Sequence, residues 1–176
     1  MMLPAAFKAM FAVVALAGLT ACATDDSSFA ERQELANTSP LLAVPKATGR
    51  SLTRNFERFC LEGSTDADDR ATRLRAAGFV PDGGWRNGLR QFVENDTRPA
   101  VRISRDGKLC AVRARAQTGQ NAEIQKSMAA WFPQARLLKD RGTDQIWQVG
   151  PSEGIAIARN SLGPHFNEIT LARIQL

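Results

Sequence analysis

The cationic side chains between residues 98 and 115 are the groups whose chemistry is most direct to interpret. This stretch contains six basic residues and one acidic residue, Asp106. Guanidinium groups bind carboxylate and phosphate oxygens through paired hydrogen bonds, so the cluster predicts an anion-binding site. The alternative is a solvated β-face that its charges keep soluble. The predicted members of the site are Arg102, Arg105, Lys108, Arg113 and Arg115.

Patterns typical of catalytic and metal sites are weaker. His165 is the only histidine, which excludes a histidine cluster for zinc, and its turn offers no evident catalytic partner. Asp66, Asp68 and Asp69 suggest a calcium loop, but Arg70 takes the next ligand position and the required glycine and distal glutamate are missing. Helix capping explains these aspartates better. The glycines form no dinucleotide or phosphate loop, so we predict no catalytic set, metal or cofactor.

The N-terminal residues have the order of a secretory leader. Lys8 precedes an apolar run over residues 9–19, which is shorter than the roughly 20 apolar residues of a membrane-spanning helix. The run ends in Leu-Thr-Ala-Cys at residues 19–22, which resembles the lipobox of bacterial lipoproteins. The resemblance implies cleavage before Cys22 and transfer of diacylglycerol to its thiol. Ordinary secretion with cleavage after Ala23 and an uncleaved anchor are the alternatives.

The lipobox resemblance also implies a location and a partner. In lipoproteins of this kind a residue other than aspartate after the cysteine, here Ala23, favours the outer membrane. We therefore expect a protein that a lipid anchors to the outer membrane, facing the periplasm; inner-membrane anchoring and secretion into the periplasm are the alternatives. The predicted regions are a signal peptide over residues 1–21, a lipidated linker over 22–50 and a globular domain over 51–176.

Cys60 and Cys110 are predicted to form a disulfide. Three cysteines minus a lipidated Cys22 leave an even pair in a compartment that permits oxidation. Both lie at positions with apolar surroundings, and no C-x-x-C spacing indicates a redox pair. The disulfide would link a helix to a β-hairpin.

Hydrophobic periodicity predicts an α+β domain in which an antiparallel sheet carries about three helices on one face. The first helix is capped by Ser51 and ends before Gly63, the second lies within residues 66–78, and the third lies between Asn121 and Pro133. In the predicted strands, side chains alternate between the two faces with a period of two residues. These strands are residues 79–80, 89–93, 136–139, 145–149, 154–159 and 168–176, with a hairpin over 99–116.

The predicted hairpin has a defined register. A turn at Asp106-Gly107 pairs Ile103 with Cys110, which puts the disulfide on one face of the sheet. The basic residues expected on the opposite face are Arg102, Arg113 and Arg115.

Two halves of the domain share an order of elements. Residues 67–116 and 122–176 each read as a helix, two short strands and a longer hairpin. A diverged duplication would explain this order, and we state it as a hypothesis because few letters match. Superposition of the two halves would test it.

The expected function is a non-enzymatic interaction or structural module of the cell envelope. With 44% hydrophobic and 23% charged residues the chain is neither a disordered tail nor a multi-span membrane protein. Its formal charge of +5 is compatible with anionic partners, although many solvated surfaces reach such a charge without one. The expected partners are the membrane through the lipid, and an envelope protein or anionic envelope polymer. Nucleic acid is not expected because the cationic stretch lacks interleaved aromatic residues. The alternative is an envelope hydrolase that brings together carboxylates such as Glu62, Asp66 or Glu168.

Overall fold

The computed structural model describes residues 25–37, 44–94, 97–161 and 166–176. Cys22 and His165 lie outside the described residues. Within them, one antiparallel sheet of eight strands carries the helices, so the predicted α+β class is confirmed. The strands are β1 (Val80–Pro81), β2 (Leu89–Val93), β3 (Ala100–Ser104), β4 (Leu109–Arg115), β5 (Arg136–Asp140), β6 (Asp144–Gln148), β7 (Glu153–Ser161) and β8 (Asn167–Gln175).

Four helices accompany the sheet in the described part of the chain. They are α1 (Phe29–Asn37), α2 (Gly49–Phe56), α3 (Ala67–Ala76) and α4 (Gln120–Trp131), and α2 continues as a π-helix over Glu57–Leu61. α2, α3 and α4 bury their apolar side chains in a single core against one face of the sheet. The sheet residues of that core are Phe92, Val101, Ile103, Cys110, Val112, Ala114, Ile155, Ile157, Ile169 and Leu171.

α2 begins before the predicted cap, Ser51. Thr48 is the N-cap, and its hydroxyl accepts a hydrogen bond from the Ser51 amide at 3.2 Å. α2 also passes close to α4 here, because a Cβ atom at Gly49 would lie 2.8 Å from Cβ of Glu123. A larger residue would therefore push the two helices apart.

The start of α4 also differs from the prediction, whereas that of α3 agrees. Asp66 caps α3 by accepting the amides of Asp68 and Asp69 at 2.9 and 3.0 Å, as the capping interpretation predicted. α4 is preceded by Gly119, whose φ of 88° favours glycine, so Asn121 is not its cap. The Asn121 side chain instead accepts two hydrogen bonds from a guanidinium of β7.

The register predicted for the β3–β4 hairpin is confirmed. Ile103 pairs with Cys110, and the turn has Gly107 at a φ of 72°. Cys60 and Cys110 form the predicted disulfide, which closes a sequence separation of 50 residues. The disulfide therefore joins the end of the α2 π-helix to the sheet. Arg102, Arg113 and Arg115 lie on the opposite face, as the alternation of side chains requires.

The sheet has the order β1-β2-β3-β4-β8-β7-β6-β5. The chain runs α3-β1-β2-β3-β4 and then α4-β5-β6-β7-β8. From the central β4–β8 pair outward, each half places its four strands in reverse chain order, with β4, β3, β2 and β1 on one side and β8, β7, β6 and β5 on the other. This is the order of elements that the duplication hypothesis expects. Each half supplies four antiparallel strands to the sheet and one helix to the common core.

Residues 25–37 fall in the stretch predicted as a linker, but they pack on the domain. α1 lies against β1, and Ser27 is buried where its hydroxyl accepts a hydrogen bond from Arg90 at 3.3 Å. Arg90 also pairs with Asp25 and Asp26. Hydrogen bonds from Ser27, and after them the charge of Arg90, hold the pKa of Asp25 below its ordinary value despite some burial. Arg90 thus anchors the N-terminal segment to β2.

The residues just before α2 are also part of the folded structure. Val44 and Ala47 are buried, and Lys46 forms a parallel β-bridge with Arg115 of β4. The ordered structure therefore extends N-terminal to residue 51, where the domain was predicted to begin. The linker prediction treated this stretch as a separate spacer because its polar composition lacks periodicity.

Candidate functional site

The centre of the predicted anion-binding face is occupied by an internal ion pair. Arg113 donates from Nε and Nη2 to the two carboxylate oxygens of Glu168 at 2.9 and 2.5 Å. Its Nη1 donates to Oε1 of Gln91 at 2.6 Å, and Arg102 donates to the same oxygen at 3.2 Å. Burial, and then the charge of Arg113, lower the pKa of Arg102. The Arg113 guanidinium therefore already has an anionic partner within the protein.

The other predicted cations are also engaged or lie elsewhere. Arg115 donates to the carbonyl of Val44 at 3.0 Å, and its guanidinium lies 4.7 Å from the ring centroid of Phe166. Arg105 and Lys108 lie instead in the turn at the end of the hairpin. The five predicted residues are therefore divided between this face and the hairpin turn, and anion binding by them stays a prediction. Sequence spacing predicted the sheet face on which these arginines lie, but it did not predict that Glu168 neutralises Arg113 there.

The carboxylates named for a hydrolase do not share a cleft. Glu168 lies on the sheet face opposite the helices, with only 2% of its surface exposed, and it is bound to Arg113. Asp66 caps α3 and Glu62 ends the π-helix, on the helical side of the sheet. In the described residues, no group of three histidine, cysteine, aspartate or glutamate side chains is placed to hold a metal ion.

A cationic groove runs along α2, and the sequence interpretation missed it. Arg50, Arg54 and Arg58 recur every four residues, and all three are exposed. They line one open cavity of about 460 Å³ with Arg98, whose guanidinium pairs with Glu94 at 3.0 Å. We call the surface formed by Arg50, Arg54 and Arg58 the arginine groove.

The three arginines of the groove differ from those that stabilise the fold. The ion pairs found among the described residues use Arg75, Arg90, Arg98, Arg113 and Arg173, and none uses an arginine of the groove. Three positive charges on neighbouring turns repel one another unless an anion lies between them. The four-residue spacing in the sequence was the signal that would have revealed the groove.

No family model matches the sequence, and neither the curated proteins nor the solved structures gave a match. Among the helices of the described residues, none is sufficiently long and apolar to span a membrane. The groove, the disulfide and the leader are therefore the features that bear on function.

Proposed function

We propose that this chain is a lipid-anchored, extracytoplasmic interaction module, without catalytic activity, that binds anionic envelope material through the arginine groove. One observation carries the proposal. Arg50, Arg54 and Arg58 are exposed on one helix face and line one cavity, and none of them forms an ion pair among the described residues. Guanidinium groups in such an array suit phosphate and carboxylate groups of a polymer or an acidic protein surface.

The expected location is the outer membrane, facing the periplasm, with inner-membrane anchoring and secretion as alternatives. The Cys60–Cys110 disulfide supports an oxidising compartment. If Cys22 carries the lipid, two residues separate it from Asp25, which contacts Arg90, so the chain takes three Cα-to-Cα steps between them. Three steps reach about 10 Å when extended. Docking of the N-terminal segment would therefore keep the domain close to the membrane, whereas the linker prediction implied a longer reach.

Lipidation is tested at Cys22 itself. Cells that express the full chain and receive an alkyne analogue of palmitate should label it, and the Cys22→Ala chain should carry no label, because no other cysteine is available for the lipid. The Cys60→Ala chain is the matched control and should keep its label. Equal labelling of the Cys22→Ala and unsubstituted chains would contradict the anchor.

The arginine groove is tested with a triple variant, Arg50→Gln, Arg54→Gln and Arg58→Gln. Each basic residue at an anionic surface contributes about 1 kcal/mol, so the variant should lose affinity by roughly 100-fold at low salt. The measurement is retention of the full chain, in neutral detergent, on peptidoglycan sacculi and on immobilised lipopolysaccharide. Retention of the unsubstituted chain should fall between about 50 and 300 mM salt, because screening weakens surface charges.

The matched control changes net charge equally at another place. Lys126, Arg136 and Arg141 are exposed and lie outside the groove, and their triple substitution with glutamine removes the same three charges. This control should bind like the unsubstituted chain. If both triple variants lose retention equally, net charge and not the groove is responsible. If neither loses it, the groove is not the binding surface.

A further inference from the structure

A second cavity, of about 230 Å³, lies where the tip of the β3–β4 hairpin meets the start of α3. Gly107 forms part of its wall at a φ of 72°, and a Cβ atom there would lie 2.5 Å from the carbonyl oxygen of Thr65. The hairpin tip therefore packs directly on the chain entering α3. Cys110 also lines the cavity, so the disulfide fixes one side of it. None of its lining residues belongs to the arginine groove.

Arg70 lines this cavity and is almost completely buried, with 1% of its surface exposed. Its burial follows from its position, because it lies on the same face of α3 as Ala67, Ala71 and Leu74. Among the described residues, Nε and Nη1 have no hydrogen-bond partner, and Arg70 forms no ion pair. A buried guanidinium with unbonded nitrogens is strongly unfavourable, so the site favours an anion that accepts hydrogen bonds from it.

Burial and neighbouring cations both disfavour the charged form of Arg70. Burial first, and then the charges of Arg73 and Arg173, lower the pKa of Arg70 to about 10. Arg173 donates to the carbonyl of Cys60 at 3.2 Å and also pairs with Glu153. The charge of Asp66 opposes this shift, but Asp66 caps α3 and forms no ion pair with Arg70 among the described residues.

The charges that line the cavity leave one net positive charge. The cations are Arg70, Lys108 and Arg173, and the acids are Asp106 and Glu153. Both acids are already engaged: Glu153 pairs with Arg173, and Asp106 accepts hydrogen bonds from the Ser104 hydroxyl at 2.6 Å and the Lys108 amide at 3.1 Å. Of the three cations, Arg70 is the one that is buried without an ion pair, since Lys108 is exposed to solvent and Arg173 pairs with Glu153.

We propose that this cavity is a binding site for a small monocarboxylate, which accepts hydrogen bonds from the buried guanidinium of Arg70 while Lys108 flanks the entrance. A single negative charge matches the net charge of the lining, whereas a phosphate dianion would exceed it. The volume lies below the range of about 300 to 1,000 Å³ of pockets for drug-sized ligands. The ligand is therefore the size of an amino acid or of the carboxyl terminus of a peptide. This site is separate from the proposed function at the arginine groove.

The test uses the full chain in neutral detergent and three probes. N-acetylalanine represents the carboxyl terminus of a peptide, alanine represents a free amino acid, and N-acetylalaninamide lacks the carboxylate. N-acetylalanine should shift the Nε–H resonance of Arg70 and raise the Tm by about 10 °C at 100 times its Kd. N-acetylalaninamide should do neither. The relative response to alanine distinguishes a free amino acid from a peptide terminus as the source of the carboxylate.

Arg70→Met supplies a diagnostic that a structural arginine would not give. Without ligand this variant should be at least as stable as the unsubstituted chain, because it removes a buried charge that lacks a partner, and its Tm should not respond to N-acetylalanine. Arg141→Met, at an exposed arginine that lines neither this cavity nor the arginine groove, is the matched control and should respond fully. Loss of stability in Arg70→Met, or absence of an Nε–H shift in the unsubstituted chain, would overturn the proposal. Tighter binding of inorganic phosphate would overturn the assignment to a carboxylate.

Discussion

Reduction of the Cys60–Cys110 disulfide is expected to lower the free energy of unfolding by about 4 kcal/mol, because the bond closes a loop of 50 residues in the unfolded chain. A domain of ordinary stability has roughly 5 to 15 kcal/mol in total, so this is a large part of it. The measurement compares urea unfolding of the oxidised and reduced full chain at neutral pH.

Single substitution of Cys60 by alanine separates the cross-link from the packing of the sulfur atoms. Both cysteines are buried in the core, where Cys60 is 0% and Cys110 2% exposed. The Cys60→Ala chain should therefore lose about as much stability as reduction does, with a small additional loss from the cavity, and a reductant should not destabilise it further. Unfolding of the oxidised and reduced chains at the same urea concentration would show that the cross-link contributes nothing.

The disulfide was predictable because each cysteine obeys a local pattern. Cys60 follows Phe56 and Phe59 on an apolar helix face, and Cys110 occupies an inward position of the hairpin. Alternation along a strand and the turn at Gly107 fix the face of every hairpin residue. Local periodicity was therefore sufficient for the sheet, the three helices of the core and the β3–β4 register.

α1 and its contacts were not predictable in the same way. No side chain of residues 29–37 is buried, and the segment has no apolar stripe from which a packed helix could be inferred. The segment is held mainly by charges that are distant in sequence: Arg90 binds Asp25 and Asp26, and Arg75 binds Glu31 at 2.6 Å. Such pairs depend on the tertiary fold, which a single sequence does not specify.

The two cationic sites illustrate two different failures of sequence reasoning. The predicted hairpin cluster counted charges correctly but missed Glu168, which lies 55 residues from Arg113. The cavity at Arg70 was missed because Arg70 was considered only as a residue that interrupts a calcium-loop pattern. Its spacing of three from Ala67 and four from Leu74 places it on the buried face of α3, and that was the available signal.

The buried pair of Arg113 and Glu168 gives the second large effect. The exposed fractions of their side chains are 13% and 3%, and both guanidinium–carboxylate hydrogen bonds lie on the sheet face opposite the helices. Glu168→Ala would leave the Arg113 cation without its acid, so we expect a loss of about 3 to 5 kcal/mol in the free energy of unfolding. Urea unfolding of the full chain at neutral pH measures it.

Replacement of both residues shows whether the ion pair or the packing of the two side chains stabilises this face of the sheet. The double substitution Arg113→Met and Glu168→Leu removes both charges together and retains apolar volume, so its stability should lie within about 1 kcal/mol of the unsubstituted chain or exceed it. Arg113→Met alone should be strongly destabilising, because it leaves the Glu168 carboxylate buried with Thr170 as its remaining side-chain donor among the described contacts. If the double substitution loses as much as Glu168→Ala, packing and not charge pairing holds this face.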